Sequence, residues 1–319
     1  MGNHGGLRNI EPTFLLNNYG FRAKKINGLV YPPFYHESLI AQLKNNWVTD
    51  EFDIFITTHQ KVGTHLTKKY IMEMLRFAFP YSKESGIYNG DIGHHTIPWP
   101  EVFVSQYGEK EFYNFIENTK GLPRVWYLHS YFNDLPFKEI HPKSKFVHIY
   151  RDPRGVVNSQ FHFYKSHPLL EVDAAMGLDA FIDIFLEGNL YFGDYFDHTI
   201  DWIEKANQKL NLINLKYEDL VDDKLNAAKK LIEFICPEIS ITIKDLECII
   251  EKTEFEKMKK DLKENPQSFH FNTEKFFRSG KSYGWQTELT KIQQLKIENI
   301  IKNRWSNLKG FEYSEIKGL

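Results

Sequence analysis

Two short strings in the sequence carry residues suited to holding an anion. In HQKVG (residues 59–63), Lys61 stands two positions before Gly63, and Thr64 follows. A glycine-containing loop entering a helix aims backbone N–H groups and the positive helix end at one spot, and a lysine there adds a full charge, so the string can cradle a phosphate. The usual nucleotide-triphosphate loop puts its lysine directly after the last glycine, which this string does not. Taken alone, Lys61, Gly63 and Thr64 equally suit an ordinary strand-to-helix turn. The second string, YRDPRGVVNS (150–159), holds Arg151 and, eight positions on, Ser159, about two turns into a helix predicted to start near Gly155. A planar guanidinium fork beside a hydroxyl suits a phosphate monoester. The plainer reading pairs Arg151 with the neighbouring Asp152.

The elements that must position these residues are legible from periodicity. FDIFITT (Phe52–Thr58) is short, apolar and β-branched, and the THLTKKYIMEMLRFAF that follows has helical spacing, with a helix start near Thr64. Further strands are predicted at Arg124–Leu128, Lys145–Tyr150 and Leu212–Tyr217, each leading through turn residues into helical patterning. Strands interleaved with helices predict an α/β fold, a three-layer αβα arrangement around a central parallel sheet. Ligands of such sheets sit at the carboxyl ends of the strands, where Lys61, His129, Arg151 and Tyr217 all fall. The first forty-odd residues carry glycines, the pair Pro32-Pro33 and no sustained periodicity, so residues 1–45 are expected to form an irregular arm and residues 46–319 a single domain.

Composition narrows the function classes. With 40 basic and 42 acidic side chains in 319 residues, the net charge is −2, and nothing global draws the chain to nucleic acid or an anionic membrane. An anion site must therefore be local. Two cysteines, Cys236 and Cys248, read as structural thiols of a reduced compartment. No apolar run nears the roughly 20 residues that cross a bilayer, so a cytoplasmic location is expected. His94-His95 lack a completing carboxylate or cysteine, and no metal is expected. Trp99, Phe103, Tyr107, Tyr131 and Phe161 could wall a cavity or simply be core. Asp173, Asp179 and Asp183 hint at a cationic or polar acceptor, against the plainer reading of solvated acids.

Taken together and in order, these strings resemble the cytosolic sulfotransferase family from roughly Phe52 to Thr290. KVGTHL (Lys61, Val62, Gly63, Thr64, His65, Leu66) looks like the family's loop for a 5′-phosphosulfate, and Arg151 and Ser159 occupy its 3′-phosphate positions. Pro123-Arg124 followed by His129 is similar to the strand carrying the family's catalytic histidine. FLEGNLYFGDYFDHTIDW (Phe185–Trp202) and KYEDL (Lys216–Leu220) resemble family landmarks, with Tyr217 at an adenine-contacting position. Thr253, Phe255 and Met258 fit a nucleotide-site segment, while Arg278, Ser279 and Gly280 with Trp285 fit a C-terminal phosphate loop.

The resemblance implies a P-loop-like nucleotide-binding architecture and transfer of a sulfuryl group from 3′-phosphoadenosine 5′-phosphosulfate to a hydroxyl of a small-molecule acceptor. In that scheme His129 is the general base, Lys61 stabilises the leaving phosphate, and no metal takes part. The departures are local. Val62 stands in place of serine, His65 and Leu66 in place of threonine and tryptophan, Tyr127 in place of a lysine, Ser279 in place of a lysine, and Tyr283-Gly284 in place of Gly-Asp. The dimer signature beginning near Gln286 keeps Thr290 but loses its flanking residues, which leaves monomer or homodimer open. The competing readings are a nucleotide-dependent small-molecule kinase and a non-catalytic nucleotide-binding relative of the same fold.

Overall fold

The computed structural model describes residues 15–16, 21–80, 97–167, 175–205, 210–264, 278, 280–306 and 308. Within the segment read as irregular lie three short antiparallel strands, β1 (Leu15–Leu16), β2 (Arg22–Ile26) and β3 (Leu29–Tyr31). β2 and β3 join through Asn27 (φ 49°) and Gly28 (φ 86°), the two positive-φ residues of a tight hairpin. The Asn-Gly pair was the available signal, but strands of two to five residues are too short to show a period. Phe21, Ile26, Tyr31 and Tyr35 enter the main hydrophobic core. Helix α1 (Glu37–Asn46) follows.

The centre is a four-stranded parallel sheet of β4 (Asp53–Thr58), β5 (Arg124–Leu128), β6 (Lys145–Tyr150) and β7 (Asn211–Lys216), ordered β5-β4-β6-β7. All residues of β4 and β5 are buried. Side chains alternate across the sheet. Ile54, Ile56, Val125 and Tyr127 join the cluster on one face, and Phe55, Trp126, Leu128 and Phe146 join the other. β4 starts one residue later than its apolar string because Asp50 holds the chain in a turn, its Oδ1 accepting from Phe52 N–H at 3.0 Å and its carbonyl from Asp53 N–H at 3.1 Å. Asp53 is a buried partner whose Oδ1 accepts from Arg124 Nε at 2.7 Å and from Trp126 Nε1 at 2.8 Å. β7 stops at Lys216, and Tyr217 opens a helix.

Helices cover both faces. They are α2 (Thr64–Ala78), α3 (Pro100–Tyr107), α4 (Glu109–Asn118), α5 (Pro153–Ser166), α6 (Leu178–Leu186), α7 (Tyr195–Ile200), α8 (Tyr217–Asp222), α9 (Lys224–Ile235), α10 (Ile243–Lys252), α11 (Phe255–Glu264), α12 (Trp285–Glu288) and α13 (Lys291–Trp305). α5 begins at Pro153, ahead of the expected Gly155, because the Asp152 side chain caps it by accepting from Arg154 N–H at 2.9 Å. Among the described residues no helix is long and apolar enough to cross a membrane.

The register sets the site. Thr57 pairs with Leu128, Thr58 with Ile149, and Tyr150 with Lys216. The four strands therefore end level, and the residues just past them meet along one rim.

Candidate active site

At the end of β4 the chain turns through His59–Gly63 into α2. Lys61 has φ 65° and Gly63 φ 113°, both in the left-handed region. Gly63 is needed twice over, since a Cβ there would stand 2.5 Å from Tyr217 Cδ2. No side chain caps α2 and no acid lies in its first turn, so its leading N–H groups and dipole face the cavity without a competing anion of their own. Thr64 Oγ1 lies 2.8 Å from Thr58 Oγ1. Lost hydration, with the guanidinium groups of Arg151 and Arg278 nearby, pulls the Lys61 amine down to about 7.

Arg151, just past β6, does not pair with Asp152. Asp152 is taken by Arg154, whose Nε and Nη2 donate to its two oxygens at 2.9 and 2.6 Å. Arg151 turns to the loop: Nη1 donates to the Lys61 carbonyl at 3.2 Å, Nη2 donates to the Lys281 carbonyl at 3.4 Å, and the guanidinium lies 4.1 Å over the Tyr217 ring. The Tyr195 hydroxyl fixes its backbone, accepting from Arg151 N–H at 2.8 Å and donating to Arg151 C=O at 2.6 Å. Arg151 and Lys61 are thus close enough to share one polyanion.

His129, just past β5, is buried. Its Nδ1 lies 2.7 Å from the Thr58 carbonyl oxygen and 3.2 Å from Thr58 Oγ1. A carbonyl only accepts, so Nδ1 carries the proton and Nε2 keeps its lone pair. Burial, offset in part by that hydrogen bond and reinforced by Lys68, lowers its pKa to about 4. The ring is packed by Trp99, Tyr127 and Phe192 at centroid distances of 5.0, 5.6 and 5.1 Å. The imidazole is a neutral base fixed in one tautomer.

One cavity of about 360 Å³ unites these groups. Lys61, Gly63, Thr64, His65 and Leu66 line it from the loop and α2, with His129, Arg151 and Ser159 from the other strand ends and α5. Tyr217, Thr253, Phe255 and Met258 line it from α8 and the α10–α11 corner, and Arg278 and Gly280 from the C-terminal segment. Val62 points the other way, fully buried in the core. Ser279 lies outside the described residues, as do His94, His95 and Asp173. Arg278 is paired with Glu288, which also accepts from His162 Nε2 at 2.7 Å.

Of the five aromatic residues singled out as wall or core, Trp99 lines the cavity. Phe103 packs on Tyr107, Phe112 and Phe115, Phe161 on Phe181, and the Tyr131 hydroxyl donates to the Asp194 carbonyl. Asp179 accepts from Gln293 at 2.7 Å and Asp183 pairs with Lys296, so both tie α6 to α13. Sequence reasoning missed several lining residues: Gln60, Asn158 and Lys281. Asn158 precedes Ser159 on α5 and was open to inference from helical spacing, while Phe163, one turn on, reads from the sequence as packing or lining the pocket and does line it. Lys281 was not, because its part is played by a backbone carbonyl.

Residues 51–312 match the sulfotransferase domain family. Cytosolic sulfotransferase 1 of Danio rerio is 26% identical over 258 residues, covering 80% of this chain and 83% of that protein. The amine sulfotransferase of Oryctolagus cuniculus is 24% identical over 273 residues, covering 83% of this chain and 84% of that one. The crystal structure of mouse sulfotransferase SULT7A1 complexed with PAP superposes with a TM-score of 0.68 at 22% identity, covering 89% of this chain and 94% of that chain, a likeness of fold. The αβα architecture expected from periodicity is the fold of solved sulfotransferases, and the family match spans the loop, the histidine strand and the arginine helix alike. The chain therefore belongs to the sulfotransferase family and is an enzyme of sulfuryl transfer.

Proposed function

We propose that the cavity binds 3′-phosphoadenosine 5′-phosphosulfate and that the enzyme passes its sulfuryl group to the hydroxyl of a small-molecule acceptor. The observation that carries this reading is the junction of three groups on one rim: a base locked with Nε2 unprotonated, an uncapped helix N-terminus preceded by Lys61, and Arg151 bonded to the Lys61 backbone. The residues fit the donor. Tyr217 closes on Gly63, Phe255 closes on Gly280, and Lys61 and Arg151, with the Glu288-paired Arg278 beside them, gather positive charge suited to a phosphate-bearing ligand. PAP in the mouse neighbour supports the same donor.

The donor, when bound, supplies a sulfuryl group already linked to a phosphate leaving group. Lys61, Thr64 and the first amides of α2 neutralise the charge that grows on that phosphate, and groups of this kind contribute roughly 3–4 kcal/mol each in a site shielded from water. Arg151 and Ser159 hold the second phosphate, with Tyr217, Thr253, Phe255 and Met258 around the adenosine. Phe34, Trp99, Val102 and Tyr127 form an apolar wall beside His129 for the acceptor. His129 Nε2 takes the hydroxyl proton as the new O–S bond forms and the old one breaks.

His129→Ala is expected to lower kcat by about 10²–10⁴ while the Kd for 3′,5′-adenosine bisphosphate stays within a few-fold. Steady-state kinetics over a panel of phenols and alcohols, paired with calorimetry, checks both halves. Turnover within a few-fold of the parent would sink the role of His129.

A further inference from the structure

Helix α2 carries a buried lysine that the scheme above does not use. Lys68 lies one turn beyond Thr64 on the same face, and only 1% of it is exposed. Its Nζ stands 3.4 Å from the centroid of the Tyr127 ring. That ring lines the cavity, meets the His129 imidazole edge to face at 5.6 Å, and is tilted against Trp99 at 5.5 Å. A buried ammonium on one side of an aromatic ring, with the base against the same ring, is an arrangement with a defined consequence. The cation pins the ring through its quadrupole, and its field disfavours a second positive charge nearby.

We infer that Lys68 is a positioning residue for the base: its buried ammonium, seated on the Tyr127 ring, holds that ring against His129 and opposes protonation of the imidazole. The inference rests on His129 as the proton acceptor. Among the described residues, the other ionisable groups facing this imidazole are His59 from the loop after β4, His198 from α7 and, across Tyr127, Glu101 from α3. His59 and His198 are buried imidazoles held neutral, and Glu101 acts in the opposite sense to a cation. Among the described residues, Lys68 is therefore the positive charge on this side of the base.

The test uses the full chain as Lys68→Met, Lys68→Arg and His129→Gln, with folding checked by circular dichroism. Histidine resonances are titrated by NMR from about pH 8 down to about pH 3, and the His129 signal is assigned by its loss in His129→Gln. In the parent protein the imidazole stays neutral to about pH 5, in Lys68→Met its midpoint rises by about half a unit to one unit, and in Lys68→Arg it stays within about 0.2 units. The acid limb of kcat/KM moves with it. An unmoved midpoint in folded Lys68→Met overturns the inference, as does a raised midpoint in Lys68→Arg, which keeps the test open should the methionine variant not fold. Loss of turnover in His129→Ala with a midpoint blind to Lys68→Met removes Lys68 alone. Turnover that survives His129→Ala removes the base assignment and the role of Lys68 with it.

Discussion

Lys61 is held in a backbone conformation that costs a non-glycine residue energy, and its amine is placed among like charges, so both features are unfavourable until an anion arrives. With its pKa lowered to about 7 in the ligand-free protein, the amine is charged below that pH and neutral above it. A bound polyanion favours the charged form and raises the pKa. Binding of 3′,5′-adenosine bisphosphate is therefore independent of this group below about pH 7 and takes up a proton above it, so affinity falls by as much as about tenfold per pH unit on the alkaline side. Calorimetry at about pH 6.5 and about pH 8.5, in two buffers of different ionisation enthalpy, measures the uptake directly. It should approach one proton at the higher pH and vanish in Lys61→Met; equal Kd values at both would contradict the assignment.

At the level of elements, the cavity is assembled by ties between helices distant in sequence. Arg154, fully buried on α5, binds Asp152 at the helix cap, donates from Nη1 to Glu298 on α13 at 2.8 Å, and lies 3.9 Å over the Trp285 ring of α12. The same helix carries Ser159, and the segment leading into α12 carries Arg278 and Gly280, so this one guanidinium ties together the two segments of the proposed anion site. Charges this deeply buried are stable only as a set. Arg154→Ala leaves Asp152 and Glu298 without their partner and is expected to cost about 3–5 kcal/mol in urea denaturation. A loss under about 1 kcal/mol would show that the tie is dispensable. The sequence placed an arginine and an aspartate side by side at 151–152, and the nearer pairing was the wrong one. A capping carboxylate points back along its own helix, toward residue 154, while Arg151 lies on the strand side of the turn.

Across the whole molecule the least expected feature is a set of buried imidazoles beneath the strand ends. His59 and His148 each stand near His198, at ring centroid distances of 5.3 and 5.9 Å, and burial lowers all three, His59 and His148 to about 3. His59 is bonded on both nitrogens, donating from Nε2 to Gly193 C=O and accepting on Nδ1 from Gln160. Among the described residues no group of three potential ligands is placed to hold a metal ion. In the unfolded chain each imidazole takes a proton below about pH 6.5, whereas the folded chain excludes it. The contribution of these groups is complete above that pH and is lost as pH falls toward 3, at up to about 1.4 kcal/mol per pH unit for each histidine. Scanning calorimetry should show Tm falling by more than about 5 °C between about pH 7 and about pH 5. An unchanged Tm would mean that protons reach these rings in the native state.

The sheet, its parallel sense and the strand-end location of Lys61, His129, Arg151 and Tyr217 were determined by local pattern alone. Apolar β-branched strings and helical spacing are properties of neighbours in sequence, and the ends of parallel strands fall on one edge whatever their order. The tautomer of His129, the turn of Arg151 toward the Lys61 carbonyl, the burial of Val62 and the seat of Lys68 on Tyr127 were not. Each depends on which residue a neighbouring strand or helix sets opposite, through registers such as Ile56 with Tyr127 that no local spacing encodes. Those contacts are made only when the sheet closes and its helices dock.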